Sequence, residues 1–158
     1  EALSQWRTNP VREVKILAST TDIILPTIKD CRHQIGTCEV IIQNFDAQSP
    51  SEKQKRLETR VSAIIHDWFN LVKSGLCKEV RIYRTDLVPI YYIIIFDAST
   101  IVFGLLTPSD SMVHAVDFYE PTLIHGNTES GKKQILKFLH QYEILRKMAR
   151  KVEENTVR

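Results

Sequence analysis

The chain has 158 residues and a mass of 18.3 kDa, the size of one ordinary domain with a full hydrophobic core. Apolar residues make up 43% and charged residues 25%, which excludes a disordered chain, a collagen-like fibre and a disulfide-stapled miniprotein. With 21 basic against 19 acidic residues the net charge is +2, too balanced to point to nucleic acid as a partner. The longest apolar run, residues 88–96, is less than half of what a bilayer-spanning helix needs, and no apolar stretch follows a basic start as in a secretory leader. Cys31, Cys38 and Cys77 leave one thiol odd and fit a reducing compartment. The expectation is a cytoplasmic protein with no membrane partner. The chain begins at Glu1 without a methionine, and residues 1–10 and 151–158 read as junctions. The whole of 1–158 is therefore expected to be a single domain, excised from a longer protein and covalently linked there to a neighbour.

In chain order, residues 14–18 read as a strand. Ser19, Thr20, Thr21 and Asp22 supply N-cap chemistry for a helix running to about Ile35, with Gly36 as its terminator and Pro26 tolerated near its first turn. A buried strand follows at 38–42. The clearest helix carries Leu57, Val61, Ile64, Ile65, Trp68, Leu71 and Val72 at spacings of three and four and ends at Gly75. Strands are expected at 79–83, 89–96 and 100–106, the last two forming a hairpin about Asp97, Ala98 and Ser99. Residues 112–118 read as a further strand, and 130–151 as a closing helix with Ile135, Phe138, Leu139, Tyr142, Leu145 and Met148 on one face. The order is β-α-β-α-β-β-β-β-α. A parallel start with crossover helices and a hairpin-built finish predicts an α/β domain, a mixed β-sheet flanked by helices.

Asp97 and Gly104 fall at a spacing that resembles one half of a phospholipase D-like domain. That family's active strand reads His-x-Lys, four further residues, Asp, and after six more a Gly. The element order is also similar to one such half, over nearly the whole chain. Ile90 stands where the family has its nucleophilic histidine and Tyr92 where it has its phosphate-binding lysine. Isoleucine cannot attack phosphorus, and tyrosine offers a neutral hydroxyl in place of a cation. The resemblance therefore implies a degenerate half that has lost phosphodiesterase activity. Such halves pair about a pseudo-twofold axis, and silent ones serve as ligand-sensing or regulatory modules. The expectation is a catalytically inactive regulatory domain that homodimerises and binds a small molecule or nucleotide signal through Tyr92, Asp97 and Gly104. The plainer alternative is that these are ordinary strand and turn residues in a ligand-free interaction or oligomerisation module.

A second candidate is Gly126-Asn127-Thr128-Glu129-Ser130-Gly131-Lys132-Lys133, which matches the phosphate-loop pattern G-x-x-x-x-G-K except that Lys133 replaces the final hydroxyl residue. Gly126, Gly131 and Lys132 would be its phosphate-binding groups. Against it stand the missing Mg²⁺-binding hydroxyl and the short chain that remains downstream; a polar loop capping the last helix explains the same letters. His33, His66, His114, His125 and His140 are scattered without ligand spacing, and Cys31 and Cys38 make no metal pair, so no metal and no cofactor are expected. The basic runs are interleaved with acids and read as solvated helix faces.

Overall fold

A computed structural model describes residues 9–22, 24–45, 51–87, 89, 91–105 and 122–153. These residues form β1 (Glu13–Ala18), α1 (Ile24–Lys29), β2 (Ile35–Gln43), α2 (Glu52–Lys73), β3 (Cys77–Thr85), β4 (Tyr91–Phe96), β5 (Thr100–Leu105), β6 (Thr122–His125), α3 (Glu129–Met148) and β7 (Arg150–Val152). The strands make one seven-stranded sheet in the order β6-β5-β4-β1-β2-β3-β7. β1, β2 and β3 are mutually parallel, because each is joined to the next through a helix; the other pairings are antiparallel. The expected α/β class, a mixed sheet between helices, is what the chain adopts.

Alternation along the strands divides the core between the two sheet faces. Val14, Ile16, Val40, Ile42, Ile82, Tyr92, Ile94 and Phe96 pack with α1 and α2. Leu17, Ile41, Tyr83, Ile93, Ile95 and Ile101 pack with Ile135 and Tyr142 of α3. The amphipathic pattern of α2 places Leu57, Val61, Ile64, Ile65, Trp68, Phe69 and Leu71 inward, while Val72 is left exposed at the helix end. The start of α2 is fixed reciprocally. Ser51 Oγ accepts from the Gln54 amide at 3.2 Å, and Gln54 Oε1 accepts from the Ser51 amide at 2.8 Å. Gly75 follows its end in the left-handed region, at φ 77°.

Three expectations are revised. The helix over 19–35 is confined to Ile24–Lys29, and Ile35 already belongs to β2. Gly36 does not end a helix; its amide donates to Val11 O at 3.1 Å, and a Cβ there would lie 2.2 Å from Arg12 O. The glycine serves close approach of the segment before β1. Second, α3 stops at Met148, Ala149 turns extended (φ −82°, ψ 149°), and residues 150–152 add an antiparallel edge strand to β3 instead of another helical turn. Third, β6 lies at 122–125, where the sequence reading placed no strand. The strand expected at 112–118, like Ile90 and His114, lies outside the described residues.

Candidate functional site

The sequence candidates separate into two groups at opposite ends of the sheet. Tyr92 and Gly104 are directly paired across β4 and β5. The Tyr92 ring lies over the glycine, since a Cβ on Gly104 would meet Tyr92 ring and hydroxyl atoms at 2.6–2.8 Å. Glycine is thus required at position 104 by its neighbour. Tyr92 is buried, and burial raises its pKa above the ordinary tyrosine value. Its phenol stays protonated at neutral pH and can exchange hydrogen bonds, but it carries no charge with which to hold a phosphate.

Asp97 lies five residues further along, about 16 Å at strand rise. It sits at the hairpin, where Asp97 and Ala98 both have positive φ (48° and 52°). Its Oδ1 accepts the backbone amides of Arg12 at 2.9 Å and Glu13 at 2.8 Å, and its own amide donates to Glu13 O at 3.0 Å. The carboxylate clamps the entry to β1 against the hairpin, and Tyr92 and Asp97 do not share a pocket.

The glycine-bounded segment lies at this same end. The Gly126 amide donates to Ser99 O at 2.8 Å. Only residues 126–128 form a turn, because α3 begins at Glu129, two residues before Gly131. The Gly131 amide donates to Thr128 Oγ1 at 3.0 Å and the Lys132 amide to Thr128 O at 2.9 Å. The amides that a phosphate would need are committed to the helix cap. A Cβ on Gly131 would fall 1.9 Å from His125 O, so this glycine answers to the packing of α3 against the end of β6.

The end of the sheet that holds Tyr92 has a different character. β1 lies between parallel β2 and antiparallel β4, so the segments after β1, β2 and β3 leave the sheet at the end where β4 begins. Residues 19–22, 44–45 and 85–87 follow the three parallel strands there and carry Thr21, Asp22, Asn44, Thr85 and Asp86. Thr21 is fully buried, and its hydroxyl accepts from Trp68 Nε1 at 2.8 Å. Asp22 meets Arg60 through both carboxylate oxygens, Nε at 3.0 Å and Nη2 at 2.9 Å. Asn44 Nδ2 donates to Asp86 Oδ1 at 2.8 Å, and its amide to Thr85 O at 2.7 Å. Hydroxyls, a carboxamide, two carboxylates and a guanidinium are thus assembled at one rim. Such a set recognises polar groups by hydrogen bonding. Sequence reading took residues 19–22 only as a helix cap and did not single out Asn44, Arg60 or Asp86, because their proximity depends on the parallel register of β1, β2 and β3.

Two further groupings were not legible in spacing. Cys38 and Cys77 meet with sulfurs 3.4 Å apart in the core; the hydrogen bond with Cys77, then burial, raise the Cys38 thiol well above its usual range, while the hydrogen bond with Cys38 lowers Cys77. On the other face, Glu39 is buried among Lys15, Arg146 and Arg81 at 3.7, 3.8 and 4.0 Å, and its Oε1 has no hydrogen-bond partner. Among the described residues, no three His, Cys, Asp or Glu side chains converge as a metal site requires. No family model matches the chain, and no curated protein matches it.

Proposed function

We propose that this domain is a catalytically inactive, phospholipase D-like regulatory module that homodimerises and senses a small molecule or nucleotide signal at the carboxyl ends of β1, β2 and β3. The observation that carries the reading is the position of Tyr92. Tyr92 is a buried phenol at the end of the sheet that carries Thr21, Asp22, Asn44 and Asp86, and by the resemblance it would stand where the family has its cationic lysine. A phenol in place of the cation, beside hydrogen-bonding groups, fits recognition without phosphoryl transfer. Asp97, at the other end of β4, holds the Arg12 and Glu13 amides through Oδ1, so the proposed ligand lies at the Tyr92 end.

The test is a thermal-shift panel of nucleotides, cyclic and oligonucleotide signals and phosphorylated metabolites. A ligand at a hundred times its dissociation constant stabilises a fold by about 2.7 kcal/mol, a shift of several degrees. The shift is expected to disappear in Asn44→Ala and to persist in Lys132→Ala. Turnover of a generic phosphodiester by the wild-type chain, or a shift that only Lys132→Ala removes, contradicts the proposal. The reading of a ligand-free interaction module rests on a separate observation: Leu136, Ile144 and Met148 are exposed on α3.

A further inference from the structure

We propose that the outer face of α3 seats this domain on an anionic membrane surface. The proposal is independent of the ligand site, which lies at the carboxyl ends of the parallel strands.

Among the described residues, α3 is the outer layer on its side of the sheet, and it packs there through Ile135 and Tyr142 with Phe138, Leu139 and Leu145 beside them. At about 100° per residue, Ile144 falls opposite Ile135 and Tyr142, and Leu136, His140, Ile144 and Met148 follow one another along a row spaced by four residues. Leu136 is 66% exposed, Ile144 46% and Met148 68%. Three of the exposed large apolar side chains of the described residues therefore stand on one helix, on the side turned away from the core.

The charges around them are mostly basic. Lys132, Lys133, Lys137 and Lys147 are exposed on the same helix. The acid within that span, Glu143, is half-buried and held by Arg146 at 3.0 Å. A second copy of this face would set lysines against lysines. Its apolar positions, eight and four residues apart with His140 between, also lack the three-four alternation of a helix-helix seam. A nucleic acid would satisfy the lysines but leave the apolar side chains in water. An anionic bilayer satisfies both: the leucine, isoleucine and methionine enter the acyl boundary, while lysine stems run along it and place their ammonium groups among headgroup phosphates. None of the described helices is long and apolar enough to cross a membrane, and surface seating requires no crossing.

The experiment is co-sedimentation of the full chain with phosphatidylcholine vesicles, with and without about one-third phosphatidylserine, at about 0.1 M salt. Partition into the anionic vesicles is expected to be at least roughly tenfold stronger than into neutral ones and to fall as salt rises. The double substitution Leu136→Ser, Met148→Ser should reduce it about tenfold with an unchanged melting curve, since both side chains are exposed. Equal partition into both vesicle types, absence of partition into either, or partition that survives the double substitution overturns the proposal. A dimer in sedimentation that the same substitution dissolves assigns the face to a second copy and overturns it as well.

Discussion

Replacing Tyr92 separates its structural role from its chemistry. The ring is 4% exposed and packs over Gly104 within the core that faces α1 and α2. A buried aromatic covers roughly 150–250 Å², so at about 25 cal/mol per Å² its removal costs about 4–6 kcal/mol. Large aromatic-to-alanine changes in cores cost about 3–5 kcal/mol, and the two routes agree. At roughly 2–4 °C per kcal/mol for a chain of this length, Tyr92→Ala should melt some 6–20 °C below the parent. Tyr92→Phe keeps the ring and loses only the hydroxyl, about 0.5–1.5 kcal/mol, and should melt within a few degrees. Thermal and urea unfolding of both variants measure the difference. A Tyr92→Ala protein that melts within about 2 °C of the parent would refute the packing argument. The same reasoning makes Tyr92→Phe the variant to use in ligand assays, because loss of response in Tyr92→Ala would report loss of fold.

Three other outcomes follow from named contacts. Asp97→Ala removes the acceptor of two backbone amides at 2.8–2.9 Å and should cost about 1–2 kcal/mol in urea unfolding, whereas Asp97→Asn, which retains a carbonyl and tolerates positive φ, should cost less. Gly131→Ala reverses the usual gain of a helical glycine-to-alanine change, because the new Cβ meets His125 O; a loss of roughly 1–3 kcal/mol is expected, and a rise in melting temperature would contradict it. Tyr142 donates to Glu39 O at 3.0 Å, and burial first, then the nearby Glu39 and Glu143 charges, raise its pKa well above 10.0. The unfolded chain releases this proton near its ordinary pKa and the folded chain holds it, so stability is full below pH 10.0 and falls as pH rises beyond it. Tyr142→Phe should cost about 1 kcal/mol at neutral pH and flatten the alkaline decline, as read by urea midpoints across the alkaline range.

Periodicity was enough for the long elements. The three-four spacing of Leu57 to Leu71 and the continuous apolar run of β4 each depend on one segment alone, and both resemble what the chain forms. The reading failed where a distant segment decided the local conformation. Gly36 reads as a helix stop, yet Arg12 pressing on β2 is what demands a glycine there. Residues 150–152 continue a helical pattern, but the free edge of β3 draws them into the sheet. The site divides in the same way. Tyr92, Asp97 and Gly104 sit close in sequence, and the strand separates Asp97 from the others by its length. Thr21, Asn44 and Asp86 are far apart in sequence, and parallel register brings them to one rim. Glu39 was invisible as a buried charge because alternation along β2 is masked by apolar neighbours on both faces.

The most direct measurement is an amide NMR titration of the uniformly labelled chain with any compound that stabilises it in the thermal-shift panel. The proposed ligand face requires the perturbed amides to cluster at residues 19–22, 43–45, 85–87, 91–92 and 104–105, after the carboxyl ends of β1, β2 and β3 and beside Tyr92. Perturbations confined to 97–99 and 126–132, at the hairpin and the start of α3, would contradict it.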